Sequence, residues 1–109
     1  MRMRSSKELD RKIWEEIDQT LLILGKDARR LIYEHMERTS EVARLDVSRK
    51  LDALNEAFLS LMGQFAKKVI EETIAERLYN SLGLEFKRRE GWTLIEYVKE
   101  AKRMIRLVS

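Results

Sequence analysis

The longest regular pattern in the chain lies between residues 63 and 84, where apolar side chains recur at steps of three and four. This spacing places them on one side of an α-helix of about 20 residues, roughly 30 Å long. Gly83 can adopt a positive φ and is typical of a helix C-cap, with Leu84 as the expected hydrophobic contact. The expected apolar side holds Phe65, Ala66, Val69, Ile70, Ile74, Leu78 and Leu82, and the expected solvent side holds Lys67, Lys68, Glu71, Glu72, Glu76 and Arg77.

Two helices are predicted before this one in the first third of the chain. The first covers residues 5–24, where Ser5 and Glu8 form a capping box, and it ends at Gly25. The second covers about 27–38. The irregular sequence over 39–46 predicts a loop.

Two more helices complete the pattern. One covers about 46–62, with Asp46 as its N-cap, and the other begins at a second capping box formed by Thr93 and Glu96. A polar linker over 85–92 precedes this last helix. The helical spacing therefore predicts an all-α protein, a compact bundle of about five helices in a single domain over residues 1–109.

The composition agrees with that fold and narrows the chemistry. Hydrophobic residues make up 44% of the 109 residues and charged residues 38%, with no proline and no cysteine. The absence of cysteine excludes disulfides, thiolate metal sites and thiol redox centres. A charge-rich, amide-poor composition favours a thermophilic source. The longest apolar run, 21–24, is too short to cross a bilayer, and the first residues lack the apolar segment of a secretory signal, so a cytoplasmic protein with no membrane partner is expected.

Basic residues are concentrated at the two ends of the chain, although the net charge is only +3. Residues on one side of the last helix, together with a basic run in the linker, are the candidates for contacts with nucleic-acid phosphates. Two observations favour a solvated helix face instead: no aromatic residue interleaves with these positions, and Glu96 and Glu100 can pair within the helix. The candidate residues are Lys99, Lys102, Arg103, Arg106, Lys87, Arg88 and Arg89.

His35 is the one histidine in the chain and lies among apolar positions of the second helix. Its ordinary pKa of ~6.5 suits a general base or a metal ligand. No motif supplies the nucleophile, orienting carboxylate or further ligands that either role needs, although Glu71 is a candidate partner. The sequence therefore predicts a hydrogen-bonded structural histidine, with no catalytic residue, no metal site and no cofactor.

Two segments resemble a known family. L-G-K-D-A-R-R-L-I-Y-E-H-M-E (24–37) and the segment from Lys50 to Leu84, which ends in L-Y-N-S-L-G-L, resemble small archaeal helical domains of the Nitrosopumilus-type output family. The match covers roughly 24–84, and its L-Y-x-x-L-G-L end is the most specific part. Leu51, Leu54 and Met62 depart from the proline and phenylalanines of that family. The resemblance implies a non-enzymatic output or regulatory module of signalling proteins.

The first helix, residues 5–24, precedes the part of the chain that the resemblance covers. It is amphipathic and carries a tryptophan at the edge of its apolar side, so it either closes the core of its own chain or packs on a second copy. The candidate interface residues are Trp14, Ile13, Ile17 and Leu21.

The function predicted from the sequence is a non-catalytic interaction or regulatory helical module. Its expected partner is a second copy of the chain, in a homodimer, or another protein. The alternative is a nucleic-acid-binding protein that uses the basic last helix.

Overall fold

The computed structural model describes residues 6–39 and 47–108, which form four helices and no strand. The all-α prediction is confirmed, but the expected five helices are four. The predicted caps at Ser5 and Asp46 lie outside the described residues. So does the predicted loop over 39–46, except for Thr39, which is the last residue of α2. The helices are α1 (Ser6–Leu24), α2 (Lys26–Thr39), α3 (Val47–Ser81) and α4 (Leu94–Val108).

The helix count differs because the two helices predicted on either side of Gly63 form one kinked element, α3. Gly63 has a φ of 82° and a ψ of 169°, a conformation that is essentially restricted to glycine. We call residues 47–62 the first arm of α3 and residues 64–81 the second arm. The non-helical backbone of Gly63 thus separates two helical arms, which are counted together as one kinked element.

The core lies where α1, α2 and α4 each pack against α3, and α1 also packs against α2. The buried positions of every helix follow steps of three and four, because that spacing keeps one face turned toward the neighbouring helices. The radius of gyration is 13.5 Å, as expected for a compact domain of this length. The largest fully buried side chains are Ile13, Ile17, Leu21, Ile32, Met36, Leu54, Phe58, Ile74, Leu78, Leu94 and Tyr97.

The predicted C-cap at Gly83 is confirmed in atomic detail, and the Glu96 half of the predicted capping box at Thr93 is present. Gly83 has a φ of 72° and donates its N–H to the Asn80 carbonyl at 3.2 Å, while Leu84 donates to the Tyr79 carbonyl at 2.9 Å. This is a Schellman motif, and Leu84 packs against the core as its hydrophobic contact. At the start of α4, the Glu96 carboxylate accepts hydrogen bonds from the Thr93 N–H at 3.2 Å and hydroxyl at 2.8 Å.

The predicted orientation of the second arm of α3 is partly wrong. Phe65 and Val69, expected inside, are exposed, whereas Lys67 and Glu71, expected outside, are buried. Phe65 and Ile74 are nine residues apart, about two and a half turns, so a straight helix must place them on opposite sides. The structure buries the Ile74 side against α1 and α4 and leaves the Phe65 side in solvent.

Candidate functional site

An exposed apolar strip lies just after the kink in α3. Phe65 is 82% exposed and Val69, one turn later, is 49% exposed. Leu59 and Leu61, at the end of the first arm, are also about half exposed. A phenylalanine left almost entirely in water is typical of a surface that another molecule covers.

A groove runs beside this strip, between the second arm of α3 and the linker that precedes α4. Its volume is about 270 Å³. We call the groove and the strip together the kink face. Its charges balance, since two basic and two acidic side chains line it. The lining residues are Phe65, Lys68, Val69, Glu72, Thr73, Glu76, Phe86 and Arg88.

Several polar groups of the kink face already have partners within the chain. The Thr73 hydroxyl donates to the Val69 carbonyl at 2.8 Å, and Arg88 pairs with Glu72 at 2.5 Å. Among the described residues, Lys68 and Glu76 have no ion-pair partner. If another molecule covered the groove, Lys68 and Glu76 would lose water without an opposite charge nearby. Thr73, Arg88 and Glu72 would keep the partners that they already have in the chain.

Phe86, which forms one wall of the groove, is held by a cluster of aromatic rings. Its ring centroid lies 5.5 Å from that of Tyr79 and 5.3 Å from that of Tyr97, and Trp92 contacts the far side of Tyr97 at 5.2 Å. The Tyr79 hydroxyl donates to the Tyr97 carbonyl at 2.7 Å, and burial raises the pKa of Tyr79 to about 12. The Tyr97 hydroxyl accepts from the Arg89 N–H at 2.8 Å. This wall is therefore fixed by packing and hydrogen bonds, and the groove is preformed.

The opposite side of the second arm carries a buried ion pair that the sequence reasoning missed. Lys67 is 5% exposed and Glu71 is 2% exposed, and the Lys67 ammonium lies 3.3 Å from Oε1 of Glu71. The same oxygen accepts the Leu94 N–H at 3.1 Å, so Glu71 also caps α4. Burial raises the pKa of Glu71 above its ordinary value, although the Leu94 N–H and Lys67 act in the other direction. The i, i+4 spacing of Lys67 and Glu71 was visible in the sequence, but it is equally common on exposed helix faces.

Most of the candidate nucleic-acid contacts are engaged with acidic or aromatic side chains of the same chain. Lys102 lies 3.4 Å from Asp10 on α1, Lys87 lies 4.0 Å from Glu85, and Arg103 pairs with Glu100. Arg88 pairs with Glu72 in the kink face, and Arg89 stacks over the Trp92 ring at 4.9 Å. Lys99 and Arg106 are exposed. Some of the candidate basic residues are thus held by contacts within the chain, and Lys99 and Arg106 are exposed to solvent.

The structure does place an aromatic residue beside the basic side of α4, contrary to the sequence analysis. Trp92, at the end of the linker, lines a shallow depression together with Glu96, Lys99, Glu100 and Arg103. Linker and helix are separate elements in sequence, so this proximity was not visible in the spacing of α4 alone.

His35 pairs with a different carboxylate from the one expected. Its Nε2 lies 3.0 Å from Oε2 of Glu56 on the first arm of α3. Hydrogen bonds from Ser60 and from His35 hold the pKa of Glu56 below its ordinary value. The described residues contain no cluster of three or more histidine or acidic side chains that could hold a metal ion. His35 therefore links α2 to α3.

The candidate interface residues of α1 lie inside their own chain. Ile13, Ile17 and Leu21 are fully buried against the other helices, and Trp14 is partly buried with Lys50 5.9 Å from its ring. The three aliphatic residues therefore contribute to the core of their own chain. The reason is that their side of α1 packs on both α2 and α3.

A polar cluster fastens α1 to α2 at the surface. Asp18 accepts hydrogen bonds from Nε of Arg29 and from the Tyr33 hydroxyl, both at 2.8 Å. Burial alone would raise the pKa of Asp18, but these two hydrogen bonds outweigh it and hold the pKa below its ordinary value. Burial and the neighbouring carboxylate raise the pKa of Tyr33. The cluster therefore favours an ionised Asp18 in the folded chain.

Over the residues that are described, no helix combines the length and the apolar character needed to cross a membrane. Comparisons with protein-family models, with curated proteins and with solved structures found no match to the chain. The kink face is the candidate functional site because it combines an exposed phenylalanine with a groove.

Proposed function

We propose that this protein is a non-catalytic helical interaction module that works as a homodimer in a regulatory role. The observation that carries the proposal is the exposure of Phe65, 82% of whose surface is in contact with solvent beside a preformed groove. Burying a phenylalanine side chain contributes about 1.5–3 kcal/mol, so a surface of this kind favours association. The resemblance of residues 24–84 to small archaeal output domains supports a regulatory module, and the charge-rich, amide-poor composition favours a thermophilic source.

The proposal is tested by measuring mass as a function of concentration. Light scattering across a dilution series should give a dimer at high concentration that dissociates on dilution. Replacing Phe65 with serine should weaken the dimer about 100-fold or more, because two copies of the side chain lose their burial. Leu107, which is also highly exposed but lies at the end of α4, provides the matched control, and Leu107→Ser should leave the dimer unchanged. A monomeric wild type at every concentration would refute the homodimer.

A second candidate function is nucleic-acid binding through the basic side of α4. The observation in its favour is Trp92, which lies beside Lys99 and Arg103 and could stack on a base. Titration with single-stranded and duplex DNA at low and moderate salt, followed by tryptophan fluorescence, tests it. Binding that weakens steeply with salt would support this function, and no binding at low salt would exclude it.

A further inference from the structure

We propose that a hollow between the linker and α4 binds a nucleoside phosphate, with the phosphate group at Arg89 and the ring against Trp92. The ligand is a free mononucleotide or the phosphorylated end of a single strand, since both present the same chemistry. The inference goes beyond the proposed homodimer and is independent of it. It rests on the same surface as the second candidate function and assigns that surface a ligand.

The hollow has a volume of about 180 Å³ and adjoins the shallow depression beside α4. Pockets that enclose a whole drug-sized ligand are larger, about 300–1,000 Å³, so the hollow suits a phosphate group and not a complete nucleotide. Trp92, Glu100 and Arg103 line both the hollow and the depression. A ring attached to the phosphate therefore has a place on the depression while the phosphate occupies the hollow.

The charges of the hollow leave one cation without a partner. Three basic and two acidic side chains line it, which gives a net charge of +1. Arg103 pairs with Glu100. Lys87 lies 4.0 Å from Glu85. Arg89 forms no ion pair among the described residues, so its charge is the one that a bound anion complements.

Arg89 is also held in position before any ligand arrives. Its N–H donates to the Tyr97 hydroxyl at 2.8 Å, and that hydroxyl donates to the Arg89 carbonyl at 3.2 Å. The guanidinium lies over the Trp92 ring at 4.9 Å. Stacking uses the face of the guanidinium, and the N–H groups in its plane remain for the oxygens of a phosphate, which arginine binds through paired hydrogen bonds.

Glu100 shows that the α4 wall of the hollow favours negative charge. The hydrogen bond from Arg103 is the main cause that holds the pKa of Glu100 below its ordinary value, and the charge of Arg89 acts in the same direction. The Glu100 carboxylate therefore competes with a bound phosphate for these cations. Trp92 supplies the other half of the site, because an aromatic side chain stacks on any base.

Calorimetric titration at low salt with deoxyadenosine 5′-monophosphate, deoxyadenosine and inorganic phosphate tests the two halves together. The monophosphate should bind at least tenfold more tightly than either of the others, because it alone joins a ring to an anion. Equal affinity for the monophosphate and for inorganic phosphate would overturn the contact with the ring. No binding of the monophosphate at millimolar concentration would overturn the site.

Matched variants test the position of the phosphate. Arg89→Gln should weaken binding of the monophosphate at least tenfold, because paired charge-assisted hydrogen bonds are lost. Arg106→Gln is the control and should stay within about twofold of wild type, since Arg106 is exposed on α4 and lines neither the hollow nor the depression. Glu100→Gln should tighten binding about threefold by removing the competing charge. Circular dichroism confirms that each variant is folded, and equal losses in Arg89→Gln and Arg106→Gln would overturn the assigned position.

Short single strands of deoxyadenylate, with and without a 5′-phosphate, distinguish the two sources of the ligand. A 5′-phosphorylated strand that binds more tightly than the mononucleotide identifies a strand end, and binding of the mononucleotide alone identifies a free nucleotide and removes the second candidate function. Both results support the site. Strands that bind regardless of the 5′-phosphate, and that lose affinity with Arg106→Gln but not with Arg89→Gln, overturn this inference and leave the second candidate function standing.

Discussion

Replacing Lys67 with methionine would remove the cation from the buried ion pair while keeping an unbranched, apolar side chain of similar length. The ammonium lies 3.3 Å from Oε1 of Glu71, and both side chains are almost completely buried. After the replacement, the Leu94 N–H is the remaining hydrogen-bond donor to Glu71 among the described residues. The carboxylate then has to stay charged without its cation or take up a proton.

Protonation sets an upper limit on the resulting loss of stability. The ordinary pKa of Glu71 is 4.5, which lies about 2.5 units below pH 7. Holding the carboxyl group neutral at pH 7 therefore costs about 3.4 kcal/mol. At pH 5 the same limit is about 0.7 kcal/mol. A carboxyl group whose folded pKa is raised contributes most below its unfolded pKa, and this contribution is lost as the pH rises toward the folded pKa. Because loss of Lys67 raises the folded pKa of Glu71 further, the destabilisation should grow between pH 5 and pH 7.

Urea unfolding of wild type and Lys67→Met at pH 5 and pH 7, at one protein concentration, measures this difference. Lys99→Met is the matched control, because Lys99 is exposed on α4, and its free energy of unfolding should stay within about 0.5 kcal/mol of wild type at both pH values. A loss from Lys67→Met that is equally large at pH 5 and pH 7 would refute the reasoning. So would a variant that behaves like the control.

Three further predictions concern the backbone, a helix cap and acid stability. Gly63→Ala should lower the free energy of unfolding by about 1–3 kcal/mol through backbone strain alone, since an added Cβ at Gly63 meets no atom within 4 Å; a loss below 0.5 kcal/mol in denaturant unfolding would contradict this. Thr93→Ala should cost about 1 kcal/mol by removing the hydroxyl that donates to the Glu96 carboxylate at the start of α4, and thermal unfolding measures it. Asp18 has a lowered folded pKa, so its contribution is present above the unfolded value of 3.8 and is lost as the pH falls through the folded pKa. The stability difference between wild type and Asp18→Asn should therefore shrink between pH 5 and pH 2, and a difference that is constant with pH would show that the ionisation of Asp18 does not stabilise the fold.

The local features of the fold were predictable because their causes are local. The Gly83 C-cap and the Thr93–Glu96 hydrogen bonds each depend on residues within one turn of a helix end, and the structure contains both. The buried sides of α1 and α4 also follow directly from their spacing, since each of these helices presents one apolar face. The spacing of apolar residues is enough to predict the buried side of a helix that packs on one side only.

The orientation of α3 was not predictable from periodicity, because its second arm carries apolar residues on two sides. Phe65 and Val69 lie opposite Ile74, and spacing alone does not decide which side faces the core. The structure buries Glu71 and Lys67 together with Ile74, because the Glu71 carboxylate accepts the N–H of Leu94. Leu94 is the first residue of α4 and lies 23 residues later in the chain. A contact between segments so far apart leaves no sign in the local pattern.

The candidate site was missed for the same reason. Phe65 was assigned to the core, and Phe86 to a polar linker whose position was unknown. The groove exists because the aromatic cluster holds the linker against α3. The exposed phenylalanine is a consequence of tertiary packing, so no motif in the sequence marks it.

The links between α3 and α4 also bear on how the chain folds. The Tyr79–Tyr97 and Glu71–Leu94 contacts join α3 to residues of α4 only 18 and 23 positions away, and Arg89 in the linker contacts Tyr97, 8 positions away. Closing loops of this length costs little chain entropy, and proteins rich in such near-sequence contacts fold quickly. The second arm of α3, the linker and α4 can therefore assemble as a helical hairpin early in folding, and α1 can then dock onto a surface that already exists.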